Sequence, residues 1–550
     1  MNQSLRDLVL QWIAGDPDAE DRDTIQSLLD GDDEEELHRR FDAPLTFGTA
    51  GLRGPVMAGP AGMNRYTVRR ATQGVIAWLG EIGVDPDLGV VVGRDARHGS
   101  ELFNHEVVSV LLGAGVKVYE MPRPLPTPLV AYCVKEIGAA AGIMVTASHN
   151  PPQDNGYKLY ASDGSQIIPP NDEIVECFAN EATTPELGER TSSHHRWISP
   201  DLLARYHAHM TQRFAVSNSD LAITYTPLHG VGGATMMELF AEAGYRSVSP
   251  VAVQFEPDGD FPTLPFPNPE EPGALDLAMA RADEVGSNLV IANDPDADRL
   301  GAAVRDDAGW HVLRGDQIGW LLASAMLPTM VSPSDVVATT IVSSTLLREM
   351  ARDAGVRFAM TLTGFKWLSR AARDGVLRLG YEEALGFAVD PDVADKDGMS
   401  AALALALLSD QLRGHGQTLM DRLDEIETRF GVHAIFQLSL RAEGPNGLRA
   451  IVNAVQSLRE RPPTTLGGLA VSEHFDLALG YEGLEPTDGV LLRLGTFGRV
   501  VVRPSGTEPK LKAYIEITPP SVETTLVEQR RVGAELVEAV RADLQSLLRV

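Results

Sequence analysis

Ser148 and His149 stand side by side in TASHNPPQDNGYKLY (146–160), and Lys158 follows ten residues after the serine. A serine attacks only when a neighbour accepts its proton, and either His149 or Lys158 could do so. Pro151 and Pro152 keep the stretch from being helical. The serine is not in a G-x-S-x-G elbow, so serine-hydrolase chemistry has little support. A loop residue bonded to backbone is the competing reading for both partners.

DPDADR (294–299) sets Asp294, Asp296 and Asp298 at i, i+2 and i+4. Carboxylates so close repel one another unless a cation lies among them, and hard oxygen ligands suit Mg²⁺. An EF-hand would need Gly and Glu where Arg299 and Arg305 stand. An aspartyl nucleophile of the haloacid-dehalogenase type lacks its usual Thr or Val after the second Asp. A solvated acidic turn is the bland alternative. RPSGTEPK (503–510) offers Arg503, Ser505, Gly506 and Thr507, with Lys510 beyond. A glycine that lets backbone N–H groups approach, hydroxyl donors and a forked guanidinium make a plausible phosphate cradle; a simple turn is the alternative. No Gly-Lys pair occurs, so there is no Walker A motif.

Of 47 basic residues only seven are lysines (117, 135, 158, 366, 396, 510 and 512), which leaves 40 arginines. Genome composition explains such a bias. Against it, a retained lysine is a candidate for work that needs a cation able to lose its proton.

Strand-like apolar runs must position these groups. GIMV leads into TASHN, NLVIAN into DPDADR, VLRLG into YEEALG, and RVVV into RPSGTEPK. Open parallel sheets bind ligands beyond the carboxyl ends of their strands, so four such loops could converge on one cleft. DLGVVVGRDAR (87–97), ELFNHEVVSVLLGAG (101–115) and VKVYEMP (116–122) predict strand, helix and strand. The pattern recurs at 221–244 and 335–355. Alternating strands in 489–503 and 510–518, with a last helix over about 522–548, predict an antiparallel α+β domain. The proline-rich 255–273 is expected to be a long loop and 170–195 a helix drifting into loop.

The chain has 550 residues, 44% hydrophobic and 22% charged, which predicts several soluble domains. The net charge of −29 argues against nucleic acid and anionic membranes as partners. It leaves room for a small anionic substrate in a locally basic cleft. No apolar run is long enough for a membrane span and the N-terminus does not read as a signal peptide. Cys133 and Cys177 are too few for a disulfide framework or thiolate zinc site, so a reducing cytoplasm is expected.

Ten motifs in chain order carry a resemblance: TFGTAGLRG (46–54), TASHNP (146–151), NGYK (155–158), TPLHGVG (226–232), PNPEEP (267–272), DPDADR (294–299), TGFKW (363–367), YEEALG (381–386), DKDG (395–398) and RPSGTEP (503–509). Together they resemble the α-D-phosphohexomutase superfamily, the phosphoglucomutases and phosphomannomutases, over nearly the whole chain. The resemblance implies four domains around a central cleft. Three are α/β/α-layered with mixed sheets (1–209, 210–313 and 314–433) and the last, 434–550, is antiparallel α+β. It implies that Ser148 is a phosphoserine and that Asp294, Asp296 and Asp298 bind Mg²⁺ with Ser148 as a further ligand. Lys158 and Arg53 match residues of proton transfer or its support, and His149 and Arg299 lie in the same catalytic motifs. Glu382 and Glu383, Thr363, Gly364 and Lys366, and Lys396 would bind the sugar phosphate. Arg503, Ser505, Gly506 and Thr507 would grip its non-reacting phosphate.

The implied activity interconverts hexose 1- and 6-phosphates of glucose or mannose through a hexose 1,6-bisphosphate, which also serves as activator. The chain is expected to be a monomer or weak homo-oligomer. Members of the glucose and mannose type often carry Ser two residues after the sugar-binding glutamate, where this chain has Ala384. A phosphopentomutase and a hexose 1,6-bisphosphate synthase are therefore the nearest alternatives. A sugar-phosphate phosphatase and a non-catalytic sugar-phosphate binder are more distant ones.

Overall fold

The computed structural model describes residues 3–48, 51–441, 447–505, 510–520 and 524–548. Two compact units are present, Met1–Leu313 with Leu385–Leu407, and Arg314–Ala384 with Leu408–Val550. The stretch 385–407 thus returns to the first unit after the chain has entered the second.

The first unit opens with three helices, Gln3–Gly15, Ala19–Asp30 and Glu34–Phe41. The Asp18 and Asp33 side chains cap the second and third by accepting from backbone N–H groups of their first turns. Leu5, Val9, Trp12, Ile25, Leu37 and Phe41 give these helices a core of their own. A six-stranded sheet follows, in the order Leu52–Pro55, Asp154–Ala161, Ala141–Val145, Val90–Arg94, Val118–Glu120, His195–Trp197. The last four strands are parallel, and the first two join antiparallel to their neighbours. Ala141–Val145 is buried at every position, as a strand covered on both faces must be. Strand, helix (Ser100–Gly113) and strand fall where the periodicity places them.

A second mixed sheet runs Gly309–Val312, Leu300–Asp306, Leu289–Asn293, Ser219–Thr226, Tyr245–Pro250. Its last three strands are parallel. Residues 255–273 form turns and irregular backbone, as the prolines require.

In the second unit, Arg357–Thr361, Asp335–Thr340 and Val376–Glu382 are parallel neighbours. The C-terminal sheet is antiparallel throughout, in the order Ala434–Arg441, Lys510–Ile517, Gly498–Pro504, Val490–Arg493, Glu473–Asp476. The long helix Leu526–Leu547 packs on it. The architecture is thus three α/β domains with mixed sheets and a C-terminal antiparallel α+β domain.

Buried Glu516 stitches this sheet to the preceding domain. Its Oε1 accepts from Ser344 Oγ (2.7 Å), Thr345 N (2.7 Å), Thr345 Oγ1 (2.9 Å) and His433 Nδ1 (2.8 Å). Its Oε2 accepts from Arg499 Nε at 2.9 Å, and Arg499 also donates to the carbonyls of Ile341 and Ser343. Burial would raise the Glu516 carboxyl, but Arg499 and His433 override it and hold the group below the carboxylate range.

Candidate active site

Strand Ala141–Val145 delivers Thr146, Ala147 and Ser148 to its carboxyl end, all three buried. Ser148 adopts φ +53°, a left-handed conformation that costs a non-glycine residue about 1–3 kcal/mol and needs support. Its backbone N–H donates to Thr146 Oγ1 at 2.9 Å. Its hydroxyl donates to Asp294 Oδ2 at 2.6 Å and lies 3.2 Å from His149 Nδ1. Burial, then the Arg299 and Arg53 charges, hold the His149 imidazole well below its usual 6.5, so the ring is neutral.

The buried strand Leu289–Asn293 delivers the carboxylates in the same way. Asp294, Asp296 and Asp298 are fully buried, and one ligand oxygen of each lies within 4.8 Å of the others. A tight turn with Ala297 at φ +57° brings the alternate residues together. Asp296 Oδ2 accepts from Thr127 Oγ1 and from Lys158 Nζ, both at 2.6 Å. Lys158 Nζ also donates to Asp298 Oδ2 at 2.6 Å, and Lys396 Nζ lies 3.0 Å from that oxygen. Asp296 Oδ1 and Asp298 Oδ1 are buried with no hydrogen-bond partner. Orphaned buried carboxylate oxygens are costly, and a hard divalent cation is the ligand that would use them. Burial, then the charges of Asp296 and Asp298, raise the Asp294 carboxyl. Burial acts the same way on Asp296, but Lys158 beside it prevails and holds that carboxyl low.

Lys158 comes from strand Asp154–Ala161 and is fully buried. Arg53 lies on the adjoining strand, opposite Gly156 in register. Burial lowers the Arg53 guanidinium, and Asp296 and Asp298 are the charges that most oppose the shift. Its Nε has no hydrogen-bond partner. Arg299 Nη1 lies 3.4 Å from Glu270 Oε2 in the PNPEEP loop. Ser148, His149, Lys158, Arg53, Arg299, Lys396 and the three aspartates are thus gathered in the first unit.

In the second unit Glu382 ends strand Val376–Glu382 and accepts from Gly364 N at 2.8 Å. Gly364 has φ +116°, which favours glycine, and it opens the short helix Phe365–Leu368 that carries buried Lys366 after Thr363. Ser343 Oγ donates to Glu383 Oε2 at 3.2 Å and accepts from Glu383 N at 3.2 Å. Ala384 is partly buried at the same strand end. Arg503 faces Lys512 across the C-terminal sheet, and Ser505 N donates to Lys510 O at 2.8 Å. Gly506 and Thr507 lie outside the described residues.

Sequence reasoning missed two contributors. Thr127, at the start of helix Thr127–Ile137, binds Asp296 through both its N–H and its hydroxyl. Arg97 Nη2 donates to the Ser148 carbonyl at 2.7 Å. Neither has a motif that marks it, because each acts on a loop distant in sequence. A second grouping, His209 with Asp390 and Asp392, also brings three ligating atoms within 4.8 Å. Here His209 Nε2 lies 3.0 Å from both Asp390 oxygens, Arg213 Nη1 3.2 Å from Asp390 Oδ2 and Lys135 Nζ 3.4 Å from Asp392 Oδ1.

A buried serine held on an acidic triad able to hold a metal ion, at the ends of parallel strands within a four-domain α/β chain, is an arrangement suited to moving a phosphoryl group. Residues 44–185, 204–309 and 314–430 match phosphoglucomutase/phosphomannomutase α/β/α domains I, II and III, and 459–532 match the C-terminal domain of that family. The chain is 38% identical over 486 residues to a "probable phosphomannomutase" of Haemophilus influenzae, covering 87% of this chain and 97% of that one. It is 34% identical to a "probable phosphoribomutase" of Schizosaccharomyces pombe, covering 99% and 98%. It is 32% identical to a human glucose 1,6-bisphosphate synthase, covering 98% and 93%. A phosphoglucomutase/phosphomannomutase family protein from Burkholderia thailandensis has the same fold, with TM-score 0.69 at 19% identity over 91% of this chain and 97% of that one. The chain therefore belongs to the phosphoglucomutase/phosphomannomutase family and is a mutase, an isomerase. No helix among the described residues is long and apolar enough to cross a membrane.

Proposed function

We propose that the chain interconverts the 1- and 6-phosphates of glucose or mannose, with Ser148 as the phosphoryl carrier. The observation that carries this reading is the Ser148 hydroxyl, 2.6 Å from Asp294 in a fully buried triad with two orphaned oxygens. A hydroxyl of the sugar phosphate attacks the phosphorus of phospho-Ser148. The bond from phosphorus to the serine oxygen breaks, and the products are the hexose 1,6-bisphosphate and a free serine hydroxyl that regains a proton. Transfer of the bisphosphate's other phosphoryl group back to Ser148 releases the isomer and restores the enzyme.

Mg²⁺, held by Asp294, Asp296, Asp298 and the Ser148 oxygen, would supply charge neutralisation for the moving phosphoryl group. The protein's own cations, Arg53, Arg299 and Lys396, contribute to the same end. Lys158 accepts or passes the proton of the attacking hydroxyl, with Arg53 in support, and His149 is a neutral neighbour to the serine oxygen. Glu382 and Glu383 bind sugar hydroxyls, Thr363, Gly364 and Lys366 the substrate beside them, and Arg503, Ser505, Gly506 and Thr507 the non-reacting phosphate. The unpaired thiols of Cys133 and Cys177 support a cytoplasmic setting.

A pentose phosphate is the second reading. Ala384 favours it, since no hydroxyl is available there to a hexose, and the similarity to the Schizosaccharomyces protein spans 99% of this chain. The test is a set of turnover assays on glucose, mannose and ribose 1-phosphates with Mg²⁺ and glucose 1,6-bisphosphate, alongside peptide mapping of phosphate on Ser148. Highest kcat/KM on a hexose phosphate is expected. Preference for ribose 1-phosphate would replace the hexose reading, and full activity in Ser148→Ala would remove the serine mechanism.

A further inference from the structure

We propose that Arg97 is a positioning residue that holds the Ser148 loop in its reactive conformation. Arg97 sits in the loop after strand Val90–Arg94 and is 4% exposed. Its Nη2 donates to the carbonyls of Ser148 (2.7 Å) and Asn150 (2.5 Å). Its Nη1 donates to the carbonyls of Pro151 (2.7 Å) and Asp154 (3.1 Å). One guanidinium therefore gathers four carbonyls from a seven-residue stretch, 148–154, and turns them inward.

The planar fork is itself fixed. Asp95 Oδ2 lies 3.5 Å from Arg97 Nε, and Asp95 Oδ1 accepts from Ser100 Oγ at 2.5 Å and from Arg97 N at 3.0 Å. The Phe261 ring lies 4.8 Å from the guanidinium carbon. The cation is thus backed by a carboxylate and an aromatic ring, leaving both terminal nitrogens for the loop. Ser148 at φ +53° is a conformation its own backbone does not favour, so something outside the residue must hold it. The bond to the Ser148 carbonyl fixes the peptide plane that follows the serine, and Thr146 Oγ1 fixes the one before it. The two fix the direction of the Cα–Cβ bond, from which the Oγ reaches Asp294. Lysine offers a point charge where the site uses a fork, and cannot serve all four carbonyls at once.

The proposal rests on Ser148 being the phosphoryl carrier, and the two are separable. Arg97→Met keeps the bulk of the side chain and removes its donors. The expected result is a kcat lower by about 10²-fold, the size of effect that a misplaced reacting group produces, with KM little changed. Transfer of phosphate from glucose 1,6-bisphosphate to Ser148, followed by intact mass, should slow in step. Guanidinium chloride below denaturing concentration should restore part of the rate, and Arg97→Lys should fall between Arg97→Met and the parent. A folded Arg97→Met with unchanged kcat, or a loss confined to KM, overturns the proposal. If Arg97→Met does not fold, Arg97→Lys carries the same readouts. If neither folds, Arg97 is scaffold only and the proposal is overturned. Ser148→Ala decides the other question: continued turnover there removes the serine as carrier whatever Arg97 does. An inert Ser148→Ala beside a fully active Arg97→Met removes the positioning role alone.

Discussion

Asp294, Asp296 and Asp298 on one side, and His209, Asp390 and Asp392 on the other, each bring three ligating atoms within 4.8 Å. They differ in what has already been done with those atoms. Asp390 is surrounded by His209 and Arg213, and Asp392 by Lys135 and His209. The triad has Lys158 and Lys396 on one edge, yet two of its oxygens remain buried and unpartnered. Protein cations satisfy the His209 grouping and make it an ion-pair clasp. The aspartate triad is left one ligand short. Proximity of acids is a poor guide to a metal site, and unsatisfied buried oxygens are a better one.

The largest expected effect that would break this contrast is on Asp296→Asn. A residue that only supports a metal ligand typically costs 10- to 100-fold, so loss of a ligand should lower mutase activity by more than about 100-fold. Mn²⁺ binding, read by paramagnetic relaxation of water, should weaken with it, whereas Asp390→Asn should leave that binding unchanged. Equal effects from both substitutions would mean the two clusters do not differ.

Lys158→Arg sharpens the same contrast from the cation side. It keeps the charge beside Asp296 and Asp298 and removes a group able to act as a base, so kcat should fall by about 10²-fold if the lysine moves protons. A rise in KM alone would assign it to binding.

Asp390→Asn should act on stability, at about 1–3 kcal/mol, because it removes the charge of a buried acceptor that the partly exposed His209 and Arg213 share. A lower thermal midpoint with retained metal affinity is the expected pair of results.

Asp316, in the second unit, is a buried acid with neither fate. Burial raises its carboxyl to about 7, and its Oδ1 accepts from Ser344 N at 2.8 Å. A raised carboxyl binds its proton in the folded state at pH values where the unfolded chain has lost it. Stability should therefore fall as pH rises from about 4 to about 7, by at most about 1.4 kcal/mol per pH unit from this group. Asp316→Asn should flatten that slope in thermal melts, and an unaltered slope would show that the group is not the source.

The smallest effect concerns specificity. Ala384→Ser restores a hydroxyl, and one hydrogen bond contributes about 0.5–1.5 kcal/mol. The kcat/KM ratio of hexose to pentose phosphate should rise about 2- to 12-fold. No change would mean that residue 384 does not face the sugar.

The sheets were legible because their strands are continuous apolar runs, such as Ala141–Val145 and Leu289–Asn293, ended by loops rich in Gly, Pro and Asp. The triad was legible because its three acids are close in sequence. Lys158 was legible as a rare lysine ten residues after the serine and within NGYK, but its contact with Asp296 and Asp298, which joins residues 138 and 140 positions apart, was not. Arg97 and Thr127 were not legible, since their partners lie in loops that only the folded sheets bring near. The N-terminal helices have no chemistry to mark them, and the return of 385–407 to the first unit has no local signal. Such features arise from tertiary packing, which spacing along the chain does not encode.

Glu516 bears on modularity. A chain matched by four successive family domains invites division at their boundaries, and 433/434 is an obvious cut, just before strand Ala434–Arg441. The carboxylate on the C-terminal side of that cut has three of its donor residues, Ser344, Thr345 and His433, on the other. Excised alone, the last domain would keep Arg499 and lose the rest, leaving an acid built for the interior facing water or collapsing inward. The C-terminal domain is therefore inherited and exchanged most safely together with the segment that supplies residues 341–345 and 433. Chimeras that respect this pairing should fold more readily than those that follow the domain boundary.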